Sequence, residues 1–273
     1  MRPPTKPRPF VKWVGGKRQI IEILKENLPK NFDTYIEPFV GGGALFFELL
    51  PRKAVINDLN EELINAYRTI KEYPHQLVED LKKHKNEEEY FYDIRSSNPE
   101  NLNQIERASR FIYLNKTCFN GLYRENSKGQ FNVPFGKYKS PRIVDKENIL
   151  AISEYLNTAD VTISNEDYKE TVKSAKRGDF IYLDPPYYPL NKNSSFTKYT
   201  KYDFTEEDHV ELFEEFVKLD TKGCHVMLSN SNTPFIKDLY REYEIIEITT
   251  NRYINSKADG RKLSAKEIIV KNY

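Results

Sequence analysis

The chain is poor in the residues that build disulfide scaffolds and metal centres. Its 273 residues hold two cysteines, Cys118 and Cys224, far apart and without C-x-x-C spacing. That excludes a disulfide framework and points to a reducing compartment, so a cytoplasmic location is expected. The four histidines, His75, His84, His209 and His225, form no ligand pattern, so no metal is expected. No apolar run approaches the length of a membrane span, and no membrane association is expected. Net charge is only +1, so the global balance names no partner. The pyrophosphate-binding pattern G-x-G-x-x-G is missing. The opening stretch from Arg2 to Pro9 is basic and proline-rich but has no apolar core. It is not a signal peptide and reads as a flexible arm.

Aromatic side chains are plentiful, with 19 Tyr and 16 Phe, enough for a core in a chain this polar. Strand-like runs fall at Thr34 to Pro38, Ala54 to Asn57, Asp160 to Ser164, Phe180 to Asp184, His225 to Ser229, Glu244 to Thr249 and Glu267 to Val270. Helical patterns at Ala44 to Leu50, Tyr168 to Ala175, Glu206 to Leu219 and Pro234 to Tyr240 lie between several of them. The alternation predicts an α/β fold with a mostly parallel sheet covered on both faces.

The alternation breaks once, between the second and third strands. Successive helices are expected at Glu61 to Lys71, Gln76 to His84, Glu87 to Arg95 and Gln104 to Lys116, then a loop-like stretch from Cys118 to Tyr138, then a helix from Lys146 to Leu156. This is too long for a crossover and reads as an inserted subdomain. Residues 1–60 and 158–273 would then form the main domain and 61–157 the insertion. Between Arg107 and Lys146 stand nine basic residues against two acids, Glu125 and Asp145. Phe119, Tyr123, Phe131, Phe135 and Tyr138 are interleaved with them. Basic and aromatic residues together favour a nucleic-acid surface over a merely solvated face.

Three motifs carry chemistry. Asp184-Pro185-Pro186-Tyr187 follows the apolar run Phe180 to Leu183. The Asp184 carboxylate and the Pro185 carbonyl offer two acceptors, the latter aimed by the fixed proline φ. Tyr187 offers a flat face. Two acceptors and a face suit the exocyclic amine of a nucleobase. A plain strand-end turn is the alternative. Glu37-Pro38-Phe39-Val40-Gly41-Gly42-Gly43 follows the first strand and opens a helix, so backbone can approach a ligand there. Asp58 ends the second strand, well placed for a ribose diol beyond the carboxyl ends of the strands. Lys12-Trp13-Val14-Gly15-Gly16-Lys17 could start a helix or close over a cofactor, with Lys17 meeting a carboxylate.

Taken together, these motifs and their order resemble the Dam family of adenine-specific DNA methyltransferases, including its DpnII-type members. Phe119-Asn120-Gly121-Leu122-Tyr123-Arg124, Phe131-Asn132-Val133-Pro134-Phe135-Gly136 and Met227-Leu228-Ser229-Asn230-Ser231 extend the match over nearly the whole chain. The resemblance implies a Rossmann-like methyltransferase fold with a seven-stranded, mostly parallel sheet, and an inserted, mainly helical target-recognition subdomain carrying a hairpin. It implies S-adenosylmethionine as methyl donor, leaving as S-adenosylhomocysteine. Trp13, Lys17, Glu37, Pro38, Phe39, Gly41, Gly43, Asp58 and Asp184 would line the cofactor site, with Asp167 near the cofactor's adenine. A helix N-cap is the other reading of Asp167.

The resemblance also implies methyl transfer to adenine N6 in duplex DNA, with GATC as the family's usual site. The base would be flipped out of the stack at a cost of roughly a few kcal/mol. Asp184, Pro185, Pro186 and Tyr187 would form the catalytic motif, with Asp184 and the Pro185 carbonyl holding the amine and Tyr187 stacking on the ring. Arg124 is the candidate for a bidentate guanine contact. Leu122 and Pro134 would touch a thymine methyl, Phe119 or Asn120 would fill the vacated space, and Lys137 and Lys139 would contact phosphates. The segment Asn191 to Tyr202 is a candidate cover for the substrate. A cognate restriction endonuclease is the expected functional partner. The rivals are an amino methyltransferase acting on another substrate and a catalytically silent DNA-binding regulator.

Overall fold

A computed structural model describes residues 5–126, 128–190, 204–252 and 263–273. The candidate cover from Asn191 to Tyr202 lies outside them. Among the described residues one seven-stranded sheet forms the spine: β1 (Tyr35–Glu37), β2 (Lys53–Asn57), β3 (Asp160–Ser164), β4 (Phe180–Leu183), β5 (His225–Ser231), β6 (Glu244–Arg252) and β7 (Leu263–Lys271), in the order β3-β2-β1-β4-β5-β7-β6. All neighbours pair in parallel except those of β7, which runs antiparallel to both β5 and β6. The mostly parallel α/β sheet is what the alternation predicts, and its doubly wound, Rossmann-like form is what the resemblance implies. Chain order reverses between β1 and β4, and the crevice at such a switch point is where ligands bind in open α/β sheets.

Side-chain alternation divides the core in two. Tyr35, Phe180, Tyr182, Met227 and Ile269 face one layer, while Ile36, Ile181, Leu183, Val226, Leu228, Ile268 and Val270 face the other. The period of two along each strand sends successive residues to opposite faces. The second layer is closed by α8 (Tyr168–Lys173), α9 (Glu206–Thr221) and α10 (Pro234–Leu239), which contribute Val172, Leu212, Phe216 and Ile236. The first is closed by α1 (Ile21–Glu26), α2 (Ala44–Leu49) and the helices between β2 and β3. The sequence reading did not anticipate α1.

Those intervening helices are α3 (Glu61–Glu72), α4 (Pro74–Leu81), α5 (Glu88–Ser96), α6 (Gln104–Thr117) and α7 (Lys146–Thr158). The centre of the group is α6. It starts at a capping box formed by Asn103 and Glu106, and Ala108 to Asn115 along it are all buried. Their apolar side chains belong to the same cluster as Tyr35, Ala54 and Ile56 of the sheet. The helical segment therefore shares one core with the sheet rather than closing a separate one.

Two expectations need correction. The basic opening is not loose where it is described. The Arg8 guanidinium pairs with Asp145, and the Arg8 backbone exchanges hydrogen bonds with the Asn148 side chain at 3.0 and 2.9 Å. Phe10 is buried edge-on against Tyr67. The prolines set an extended path that α7 then captures. The basic excess of the insertion is also partly spent internally. Arg107 pairs with Glu61 and Glu62, and Arg142 with Asp145 and Glu147. Arg110 is buried, donating to the carbonyls of Ile94 and Arg95 at the end of α5. Asp145 is already in the charge count, but Glu61, Glu62 and Glu147 lie outside the counted stretch.

Candidate active site

The carboxyl ends of β1, β2 and β4 bring Glu37, Asp58 and Asp184 to one rim. Asp184 is the centre of the arrangement. Its Oδ2 lies 2.8 Å from Lys17 Nζ, and both side chains are largely removed from water. Lys17 stands in a short 3-10 turn (Lys17–Gln19), where its ammonium also donates to the Gly15 carbonyl and sits 4.8 Å from the centre of the Tyr187 ring. Burial, aided by the charge of Glu267, pushes the Asp184 carboxyl up to about 6, with the Lys17 ammonium and the Tyr187 hydroxyl opposing. Its Oδ1 is buried and has no hydrogen-bond partner among the described residues. An orphaned buried acceptor costs about 1–3 kcal/mol unless a ligand supplies a donor, so the geometry leaves a vacant place for an N–H or O–H group. Pro185 is buried beneath the turn, and Pro186 and Tyr187 are half-buried above it.

The glycine turn after β1 is held from several sides. Asp58 Oδ2 accepts from the Gly41 N–H at 3.0 Å and Oδ1 from the Asn60 N–H at 2.9 Å. The Tyr67 hydroxyl donates to the Gly41 carbonyl at 3.1 Å. Gly41 has φ +47°, and a Cβ there would lie 2.5 Å from the Trp13 ring. A side chain at Gly43, φ +69°, would lie 2.6 Å from the Tyr67 hydroxyl. Both positions therefore require glycine for conformation and for space. Burial pushes Asp58 up to about 6, the two backbone N–H groups opposing.

Asn57 fastens this turn to its neighbours. Its amide donates to the carbonyls of Pro38 at 3.0 Å and Glu166 at 2.9 Å, and its oxygen accepts from the Glu166 N–H. The loops after β1, β2 and β3 are thereby joined. Phe39 packs against Tyr168 at the start of α8.

Some named residues stand differently from the simplest expectation. Glu37 is 2% exposed and accepts from the Tyr35 hydroxyl at 2.9 Å. Burial pushes its carboxyl well above the usual carboxylate range, and it lies beneath the rim. Asp167 is exposed and caps α8 by accepting from the Lys169 N–H at 2.9 Å, the N-cap geometry that the sequence also allowed. Trp13 is wedged between the Gly41 turn and the insertion, stacked on Tyr123 with ring centres 5.4 Å apart.

The segment from Cys118 to Tyr138 contains a hairpin. Isolated antiparallel bridges join Cys118 to Phe135 and Glu125 to Phe131, and the Phe119 N–H donates to the Pro134 carbonyl at 2.8 Å. Alternation sorts its residues. Tyr123, Phe131 and Val133 point into the core, while Phe119, Asn120, Arg124, Pro134, Lys137 and Lys139 are exposed and Leu122 is half-buried. Tyr123 and Phe131 are thus packing residues rather than the stacking surface that aromatic interleaving suggested. Arg124 Nε donates to Asn132 Oδ1 at 2.7 Å, which orients the guanidinium from the facing arm. Asn115, buried on α6, donates to the carbonyls of Lys12 and Gly121 and accepts from the Lys12 N–H. It locks the base of the hairpin to the segment that carries Trp13. The sequence reading missed Asn115, Asn132 and Tyr67. None has a local signal, because each acts across more than a helical turn of sequence.

Residues 13–254 match the family described as D12 class N6 adenine-specific DNA methyltransferase. The chain belongs to that family. The type II methyltransferase M1.LlaDCHI of Lactococcus lactis subsp. cremoris is 50% identical over 272 residues, covering 97% of this chain and 95% of that protein. M.MjaIII of Methanocaldococcus jannaschii is 42% identical over 97% of this chain and 99% of its own length. The DNA adenine methylase of Vibrio cholerae is 34% identical, with 94% and 93% covered. The enzyme is an adenine-specific DNA methyltransferase, and its substrate is DNA.

The residues at the rim fit the methyl donor that such a family implies. The Gly41 turn has no room for a side chain, Asp58 closes one flank through its hydrogen bond to that turn, and Asp184 presents a buried unpartnered oxygen. Among the described residues no group of three or more His, Cys, Asp or Glu is arranged to hold a metal ion, and no helix is long and apolar enough to cross a membrane.

Proposed function

We propose that this methyltransferase acts on adenine N6 within GATC in duplex DNA, using S-adenosylmethionine and flipping the target base into the Asp184–Tyr187 pocket. The observation that carries the reading is the orphaned Oδ1 of Asp184 beside an Oδ2 already fixed by Lys17. One oxygen is spoken for and the other awaits a donor. An exocyclic amine supplies one N–H to that oxygen and the other to the Pro185 carbonyl.

When bound, S-adenosylmethionine supplies an electrophilic methyl group on a sulfonium centre. Asp58 and the Gly41 turn would hold its nucleoside and methionine parts, with Trp13, Lys17, Phe39, Gly43 and Asp167 around them. Glu37 and Pro38 would support the turn from below. Asp184, ionised above about pH 6, accepts from the amine and draws its lone pair away from the ring. Tyr187 stacks on the base and fixes its plane. This chain then contributes mainly alignment and charge placement. The product nitrogen sheds its extra proton to water or to Asp184 Oδ1.

Residues 61–157 act in this reading as the target-recognition unit. Arg124, braced by Asn132, reads a guanine. Leu122 and Pro134 meet a thymine methyl, Phe119 or Asn120 enters the space left by the flipped base, and Lys137 and Lys139 contact phosphates. The protein works in the cytoplasm, as a DNA-marking enzyme or beside a restriction endonuclease of the same specificity. Methylation-sensitive sequencing of DNA from cells expressing the protein tests this at once. N6-methyladenine confined to GATC is expected. Modified cytosine, or methyladenine in another context, would overturn the assignment of atom or site.

A further inference from the structure

One acid in the apolar strand β7 has no role in the site so far. Glu267 is 7% exposed and is followed by Ile268, Ile269 and Val270, all fully buried. A carboxylate in such a run is costly unless polar groups meet it. Because β7 is antiparallel to β5, Glu267 pairs with Ser231 at the carboxyl end of β5. The reversed strand thus brings its middle residue to the rim where β4 ends. There the Tyr187 hydroxyl donates to Glu267 Oε2 at 3.3 Å.

The backbone after Tyr187 is already fixed by β5. The Tyr188 N–H donates to Asn230 Oδ1 at 3.0 Å, and the Tyr188 carbonyl accepts from Ser231 Oγ at 2.6 Å. With the backbone held, rotation of the Tyr187 side chain is the main freedom left. The Lys17 ammonium constrains one face of the ring, and Glu267 constrains its far edge.

We propose that Glu267 is a positioning residue for methyl transfer, fixing through the Tyr187 hydroxyl the ring plane on which the flipped adenine stacks. This rests on the reading of Asp184–Tyr187 as an adenine pocket. Glu267 touches neither reactant in this scheme; it acts through the phenol, and its charge also pushes the nearby Asp184 carboxyl upward. A hydrogen bond that orients a stacking surface acts on the reacting geometry, not on capture of either substrate.

The test is a double-mutant cycle of Glu267→Gln and Tyr187→Phe, read by single-turnover methylation of a duplex with one GATC site. Each single variant should lose about tenfold in kcat, the size of one charge-assisted hydrogen bond, with KM for duplex and cofactor within about twofold of the parent. Glu267→Gln should cost nothing further in the Tyr187→Phe background. With 2-aminopurine at the target position, both variants should give brighter fluorescence than the parent, because a loosely held base is quenched less by the ring. Additive losses, an unaffected Glu267→Gln enzyme, or a loss confined to KM would overturn the proposal. If Glu267→Gln fails to bind S-adenosylhomocysteine and so has not folded, Tyr187→Phe decides alone, and full activity there refutes it. A parent enzyme that methylates no duplex adenine would remove the pocket reading itself, a result distinct from an active parent with independent variants.

Discussion

Replacing Lys17 by Met should move the acid limb of the pH–rate profile upward, not merely lower the rate. In the native protein the ammonium lies 2.8 Å from Asp184 Oδ2, with 5% and 18% of the two side chains exposed. At an effective dielectric of about 20, such a pair interacts by roughly 6 kcal/mol. Desolvation of the two ions takes back most of that. A net of about 2 kcal/mol would correspond to roughly 1.5 pH units on the carboxyl. Burial already pushes Asp184 up to about 6 with the cation present. The amine needs an ionised acceptor, so turnover falls as pH drops through the Asp184 midpoint, and the variant should fall at a pH higher by about 1–2 units. The measurement is single-turnover kcat between pH 5 and 9, at saturating DNA and cofactor, for both proteins. Identical ligands are bound in each, so the displacement between the two curves carries the result. Superimposable acid limbs, or a limb moved to lower pH, would show that Lys17 does not hold Asp184 ionised.

Gly41→Ala should destabilise the protein by about 2–4 kcal/mol in chemical denaturation, because a Cβ at positive φ meets the Trp13 ring; wild-type stability would mean that the turn yields more easily than its neighbours suggest. Arg124→Ala should relax selectivity at one guanine by about 1–3 kcal/mol in competition between GATC and single-base variants. Asn132→Ala should give a weaker form of the same defect, since it frees the guanidinium without removing it. Lys137→Ala should weaken every duplex alike and lower the slope of log K against log salt by about 1, and a change in sequence preference would refute a phosphate role. Asn115→Ala should leave three backbone groups of Lys12 and Gly121 without partners and reduce DNA affinity more than affinity for S-adenosylhomocysteine; equal losses would point to general unfolding.

Five of the seven strands were legible as short runs ended by Pro, Asp, Asn or Ser, and the central ones are apolar because burial on both faces leaves little room for polar residues. Their order was not legible from pattern. Nothing in Leu263–Lys271 announces that it slips between β5 and β6 and runs backward; the expectation of a seven-stranded sheet came from resemblance. Helix α1 was missed because Ile21–Glu26 is too short to display a period. The flexible arm was misjudged for a different reason. Proline and basic residues describe how a segment behaves alone, whereas Asp145 and Asn148, more than a hundred residues away, decide where it rests.

The candidate site divides in the same way. Residues that end strands were found, since a strand end fixes where its next residue points. Residues that hold those ends in place were not, because their partners are remote in sequence. Aromatic interleaving in the hairpin misled for a local reason. In an antiparallel pair alternate side chains face opposite ways, so Tyr123 and Phe131 could not share the exposed face of Arg124 and Pro134. Applying that period to the segment would have separated core from surface before any coordinates. Glu267 had a signal too. An acid directly before three buried aliphatics is an expensive choice at a position that packing alone would fill with another aliphatic. Its location opposite Ser231 makes that cost intelligible: the reversed strand delivers a hydrogen-bond acceptor to the hydroxyl of a tyrosine whose following residue, Tyr188, is already held through its backbone by Asn230 and Ser231.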